Sequence, residues 1–237
     1  MTTPRGKFEL KKFASRKPQY NESLEEILGL GFDVRDYIHY FPAFAGHLTI
    51  ARFISLYEAY KMTLGVAGHV AEIGVYKGAS SLLFAKLMKL FEPESLTLVH
   101  GFDWFQGAQI TEEEKFVASG ECYEDYDRVM KLISVQGMDN MIHIHNLDVT
   151  KDLGQFFTEN PHLQFKLIFA DCGIYDVVRS TLEHFWPRLT SGGVMIFDQF
   201  NHEVAPGETR AIKEFMPDAK LRTFPFGWMP TMYVVKP

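Results

Sequence analysis

From His69 onward the chain alternates short apolar runs with longer stretches of helical period, and this alternation decides what the chain can fold into. Strands that pair in parallel need a crossover of a dozen or more residues, which is ordinarily a helix. The strand candidates are His69–Ile73, Leu96–Phe102, Met141–His145, Lys166–Ala170 and Val194–Phe197. Helix candidates at Ala79–Phe91, Tyr123–Gln136, Leu153–Glu159 and Tyr175–Leu189 lie between them. After Asp198 come a helix over Glu208–Phe215 and two more strands, Leu221–Phe224 and Met232–Val235. Gly227 and Pro230 separate those two, which therefore read as a closing hairpin. The expectation is an α/β fold with a doubly wound, mostly parallel, seven-stranded sheet and a C-terminal antiparallel hairpin.

Ahead of the first strand, residues 1–64 read as a basic arm and a helical cap. Residues 65–237 carry the α/β unit, and the whole forms one structural domain. Residues 1–20 are polar and basic, which suits a loose arm. Ser23 and Glu26 have capping-box spacing and open a helix through Leu28. A second helix is expected over Gly46–Leu64, with Ile50, Phe53, Leu56 and Tyr57 on one side and Gly65 and Gly68 as its stop. Its apolar content exceeds what one sheet face needs, so self-association as a dimer is expected.

Composition narrows the function. A net charge of −6 argues against a nucleic-acid partner or an anionic membrane surface, since both need a broad positive face. No apolar run is long enough to span a bilayer, and the N-terminus lacks the apolar middle of a secretory signal. The two cysteines, Cys122 and Cys172, form no CxxC pair, which fits a reducing, cytoplasmic setting.

The chemistry should sit at the strand ends. The first strand-to-helix turn reads AEIGVYKGASS, residues 71–81. Glycines there allow a ligand close to the backbone, and Gly74, Tyr76, Gly78, Ser80 and Ser81 are the candidate contacts. The spacing is GxxxG, which lacks the middle glycine of a pyrophosphate-binding turn. Glu72, just before the turn, would repel a pyrophosphate but could answer the positive amino and sulfonium groups of S-adenosylmethionine. At the end of the second strand Asp103 is placed to accept from both ribose hydroxyls, with Trp104 beside it. After the third strand Asp148 is placed to accept from an adenine amino group, with Leu147 against the ring; a helix cap shared with Thr150 is the equal alternative. The fourth and fifth strands end at Asp171 and at Asp198-Gln199.

Taken together, the segments AEIGVYKGASS, GFDWFQG, ADCGIYDVVRSTLEHFWPRLTSGGVMIFDQF and PGETRAIKEF resemble the macrocin-type (TylF-like) sugar O-methyltransferases, over roughly Gly65 to Phe215. These are class I methyltransferases, whose Rossmann-like sheets close on an antiparallel pair. The resemblance implies S-adenosyl-L-methionine as cofactor, a small-molecule methyl acceptor and a homo-oligomer. It also implies magnesium, held by Asp171 and by Asp198 and Gln199, the last standing where the family has a second aspartate. The family's general-base aspartate falls on Gly173, so the metal would be held more weakly and metal-free operation is the other option.

With Gly173 unable to take a proton, His202 is the leading candidate base, alone or through a water held by Asp171. Tyr175 and Asp176 stand behind it, and His143 and His145, within a strand, read as structural. Two rival functions remain. One is a non-catalytic or N-methylating relative that has lost the metal and base carboxylates. The other is an NAD-dependent oxidoreductase, which the GxxxG turn and the terminal hairpin disfavour.

Overall fold

Five expected strands form and pair in parallel: β1 (His69–Ile73), β2 (Val99–Asp103), β3 (Ile142–Asn146), β4 (Phe165–Ala170) and β5 (Leu189–Phe197). A short β6 (Met232–Val235) runs antiparallel to β5, and the sheet order is β3-β2-β1-β4-β5-β6. The computed structural model describes residues 16–109, 114, 120–203, 205–227 and 229–237, with side chains from residue 23 onward. Among these the sheet has six strands, not the seven expected. Leu221–Phe224 contributes one bridge, in which Arg222 and Tyr233 exchange backbone hydrogen bonds of 2.9 and 2.8 Å. The next hydrogen-bonded pair of that register would be Phe224 and Thr231, but the Thr231 N–H goes to the Phe197 and Asp198 carbonyls and the Thr231 carbonyl takes the Thr223 hydroxyl.

The crossovers are α5 (Ala79–Phe91), α6 (Tyr126–Val135), α7 (Leu153–Glu159) and α8 (Tyr175–Phe185); α9 (Pro206–Phe215) follows β5. Asp125 starts α6 by accepting from the Arg128 N–H, and a single 3-10 turn at Trp186–Arg188, carrying Pro187, ends the run begun by α8. The N-terminal segment holds α1 (Arg16–Gly29), α2 (Val34–His39), α3 (Phe41–Phe44) and α4 (His47–Met62). Helix α1 starts seven residues before Ser23, so Ser23 is not its cap. Pro18 stands in the first turn, where a missing N–H costs nothing. The arm expected over residues 1–20 lies, as far as residue 15, outside the described residues.

Alternation along the strands feeds two apolar layers. Val70, Leu167, Phe169, Val194 and Ile196 face α4, α5 and α6, while Ala71, Ile73, Ile168, Met195 and Phe197 face α7, α8 and α9. Leu56, Ala59 and Tyr60 of α4 are fully buried in the first layer, so the cap is part of the same core. Lys166 of β4 is also fully buried there, paired with Glu92 at 2.5 Å, and Tyr60 donates to the same carboxylate. No helix among the described residues is long and apolar enough to cross a membrane.

On the opposite face, histidines line the β2–β3 edge. His100 stacks on His145 with ring centroids 5.3 Å apart and on His143 at 5.7 Å, and its Nδ1 lies 3.0 Å from His145 Nε2. His69 packs edge-on at 5.0 Å, and Phe165 and Phe102 close the group. Burial, with the neighbouring rings His145, His69, His143 and His162, pushes His100 down to about 3; burial and His143 push His145 down to about 4. The native chain therefore refuses protons that the unfolded chain accepts below about pH 6.5, so these rings withdraw stability as pH falls. His100→Phe is expected to recover about 2 kcal/mol of the acid-side loss near pH 5, at 1.36 kcal/mol per pH unit. Thermal melts of both chains from pH 7 to pH 5 check this: the variant's curve should be the flatter one, and parallel curves would reject it.

Candidate active site

The carboxyl ends of β1 and β4 meet where the strand order reverses, the place at which open α/β sheets hold ligands. The Asp171 N–H donates to the Ile73 carbonyl at 2.8 Å. Gly74, at φ +91°, passes so close that a β-carbon there would lie 2.5 Å from the Asp171 carbonyl oxygen. Tyr76 and Gly78 also hold positive φ, and the turn coils tightly into α5. A cavity of about 980 Å³ opens over this junction. Gly74, Tyr76, Asp103, Trp104, Leu147 and Asp148 stand on its wall, as do Asp171, Cys172 and Gln199.

The acids expected to bind ligand are already engaged. Asp103 Oδ2 accepts from the N–H groups of Val75 and Tyr76, both at 2.9 Å, and its Oδ1 accepts from Phe105 at 2.8 Å. A carboxylate has about four lone-pair sites, so one is left for a ribose hydroxyl and not the two expected. Trp104 is fixed by its indole N–H, which donates to the Gly107 carbonyl at 2.7 Å. Asp148 accepts from the N–H and hydroxyl of Thr150, at 2.9 and 2.6 Å, and pairs with Lys151 at 2.6 Å. It thus takes the loop-building role and keeps its place on the cavity wall.

Glu72 departs from expectation. It is buried beneath the turn, off the cavity wall, and accepts the hydroxyl of Ser81. Burial pushes its carboxyl up to about 8, so it carries a proton at neutral pH. Ser80 and Ser81 are buried with it, and the three fasten β1 to the start of α5. Gly78 likewise supports the turn without lining the cavity.

The reactive end holds a residue that sequence reasoning missed. Arg52 of α4 reaches across the strand ends and forks between two carboxylates: Nη2 to Asp171 Oδ2 at 2.6 Å, and Nη1 to Asp198 Oδ1 at 2.5 Å. Its guanidinium also lies 5.4 Å from the Phe169 ring centroid. Burial opposes the charge on Arg52, but Asp198 and Asp171 together hold it firmly protonated. Asp198 is buried, which raises its carboxyl above the usual range against the pull of Arg52. The signal was in α4: Arg52 shares its helical face with Ser55, Leu56 and Ala59, and a charge on a buried stripe demands a partner.

Gln199 completes this cluster. Its Nε2 donates to Asp198 Oδ2 at 2.8 Å, its backbone N–H donates to Glu208 Oε1 at 2.7 Å, and its Oε1 is buried with no partner among the described residues. Glu208, fully buried in the first turn of α9, is raised well above the usual carboxylate range by burial. A β-carbon at Gly173 would meet Gln199 Oε1 at 3.0 Å and Ala205 at 3.2 Å, so Gln199 fills the space a side chain at 173 would need.

The magnesium site expected at Asp171, Asp198 and Gln199 does not fit these residues. Arg52 stands between the two carboxylates, and the Gln199 amide turns its nitrogen to Asp198. Among the described residues no cluster of three or more His, Cys, Asp or Glu side chains is arranged to hold a metal. His202 is a second correction. It sits in the turn after β5 with both ring nitrogens buried, and it does not line the cavity. The turn folds inward because the His202 N–H bonds back to the Gln199 carbonyl. Asp176 is on the wall, whereas the Tyr175 hydroxyl points to Glu214 on α9. Burial pushes the Cys172 thiol up to about 12, so it offers no thiolate.

Comparison with known proteins agrees with this geometry. The calicheamicin methyltransferase CalS11 superposes with a TM-score of 0.81 at 21% identity, covering 93% of this chain and 92% of that one. Its apo form, described as a TDP-rhamnose 3'-O-methyltransferase, gives 0.74 at 23% identity over 93% and 94%. The O-methyltransferase NovP gives 0.64 at 17% identity over 79% and 80%. No curated protein matches the sequence significantly. The model of a methyltransferase domain family matches residues 71–200, more than half of the chain and the whole run from the glycine turn to the end of β5. The chain therefore belongs to the methyltransferase domain family and is an S-adenosylmethionine-dependent methyltransferase.

Proposed function

We propose that this enzyme methylates a hydroxyl of a sugar or another small polar metabolite, as the macrocin-type enzymes its sequence resembles do. The observation that carries the reading is the shared wall of the cavity. There Gly74 and Asp103, suited to the nucleoside end, stand beside Asp171, the carboxylate that faces the space a methyl acceptor would enter. The likeness to CalS11, described as a sugar O-methyltransferase, supports it.

When bound, S-adenosylmethionine supplies a methyl carbon on a positively charged sulfur, which needs no further activation as an electrophile. The chain's task is to line up an acceptor oxygen behind that carbon, exclude water and receive a proton. Asp103 keeps one lone pair for the ribose, and Trp104 and Leu147 wall the ring site. Asp171 accepts the hydroxyl proton; Arg52 holds one of its oxygens and leaves the other for the acceptor. Gln199, on the cavity wall beside Asp171, is placed to orient the acceptor. The roles of Asp171 and Gln199 belong to this proposal.

Self-association and a cytoplasmic setting are part of the same reading. Leu30, Val34, Ile38 and Tyr40 of the cap are each 64 to 72% exposed, an apolar patch suited to a second copy of the chain. The two unpaired cysteines suit a reducing compartment.

Three outcomes are expected. S-adenosylhomocysteine should raise the melting temperature where NAD does not, and Asp103→Ala should cost about 1.5 to 3 kcal/mol of calorimetric affinity, the worth of a bond to a charged group. Unchanged affinity would remove Asp103 from the cofactor site. With an acceptor found among nucleotide sugars and glycosides, Asp171→Asn should lower kcat by about 10² to 10⁴, the usual contribution of a general base. His202→Ala should stay within a few fold, and the reverse order would return the role to His202. Light scattering should report a dimer; a monomer at tens of micromolar would reject the cap as an interface.

A further inference from the structure

Arg52 stands where a divalent cation would have to stand, and three observations suggest that the site is built around it. First, the guanidinium does the work of a bridging ion. Its two terminal nitrogens bond one oxygen of Asp171 and one of Asp198, at 2.6 and 2.5 Å. The buried Asp198 and the partly exposed Asp171 both face this one cation, and like charges that share a site need an opposite charge between them. A planar fork with fixed N–H directions satisfies both at once, which a lysine ammonium does only as a point charge. Second, two of the acids a tight metal site would need are gone, and only the carboxylates of Asp171 and Asp198 remain. Gly173 carries no carboxylate, and the space beside it is taken by Gln199, whose amide nitrogen donates to Asp198. Restoring one of these positions alone would leave the other in the way. Third, Arg52 is held from behind. Helix α4 buries Ser55, Leu56, Ala59 and Tyr60 on the same face, and Phe169 of β4 lies beneath the guanidinium. Displacing Arg52 would leave the buried Asp198 carboxylate without its cation.

We propose that Arg52 is the resident cation of this site, replacing the divalent metal of the resembling family, so that the enzyme works without one. Arg52 is a positioning residue: it does not line the cavity, and it acts by neutralising Asp198 and by fixing the rotamer of Asp171. The cap is thereby part of the active site, because the cation arrives on α4 and not from solvent. The role given to Asp171 rests on the methyl-transfer reading; the exclusion of metal does not.

The test is a Mn2+ titration followed by electron paramagnetic resonance, on the full chain stripped with EDTA. Wild type and Arg52→Lys, which keeps a positive charge, are expected to immobilise no Mn2+ up to about 1 mM, the weak end of oxygen-ligand sites. Arg52→Gln frees both carboxylates and is expected to gain a site within roughly 10⁻⁴ to 10⁻³ M. A merely structural arginine would give no such gain. Calorimetry with S-adenosylhomocysteine on each chain reports folding and tests the methyltransferase reading separately. Mn2+ binding by wild type in that range overturns the proposal. So does a folded Arg52→Gln chain that binds no Mn2+. If Arg52→Gln does not fold, the wild-type titration decides alone, with binding against the proposal and its absence in favour.

Discussion

The site depends on how closely β1 and β4 finish together. The Asp171 N–H bonds to the last carbonyl of β1, the Gly74 N–H to Phe102 of β2, and the Asp198 N–H to Ala170 of β4. Four adjacent parallel strands thus end at one level, each leaving its last side chain at the same rim. Such a rim forms only at the switch point, where the chain has wound outward through β2 and β3 and returned through β4. Gly74 is what permits the closeness, since any side chain would be driven into the Asp171 carbonyl. The glycine turn and Asp171 therefore share one wall by construction.

That construction gathers acids, and the chain resolves each differently. Glu72 is sealed under α5 and stays protonated, with Ser81 as its partner. Glu208 is also buried, with its carboxyl raised well above the usual range, and one of its oxygens takes the Gln199 N–H. Asp103 and Asp148 meet backbone N–H groups and, for Asp148, Lys151. Asp171 and Asp198 receive the guanidinium. Burying a carboxylate without a proton, donors or a cation is prohibitive, and each of these has one of the three.

Sequence periodicity was enough for the sheet, because a βα repeat leaves few topologies open. It failed where pairing depends on a single donor: the Thr231 N–H goes to Phe197 and Asp198, so the last strand keeps one bridge, which apolar content alone does not reveal. Gly74, Asp103, Trp104, Leu147 and Asp148, read from the sequence as cofactor contacts, stand together on the cavity wall, since strand ends in a parallel sheet have a fixed place. Glu72, expected as a cofactor contact, lies off the cavity wall because alternation along β1 turns it under α5, a consequence of strand period that outweighs its nearness to the turn. Arg52 was illegible as a ligand of Asp171 because 119 residues separate them and α4 precedes the first βα unit. What the sequence did show was the fault that Arg52 repairs: carboxylates retained at 171 and 198, with Gly173 and Gln199 where further acids were expected.

The engaged state of Asp103 bears on how binding energy is used. An acid that waits for ligand in a flexible loop must be ordered when the ligand arrives, and that cost is subtracted from affinity. Asp103 has already spent three acceptor sites on Val75, Tyr76 and Phe105, so the turn over β1 and the loop after β2 are fixed to each other before any ligand is present. The same holds at the other end of the cavity, where Arg52 fixes Asp171 through a helix that is itself core. A divalent ion would leave that order dependent on its concentration. A guanidinium carried on α4 makes it a property of the fold, at the cost of joining cap and sheet into one cooperative unit, so that loosening α4 must also loosen the site.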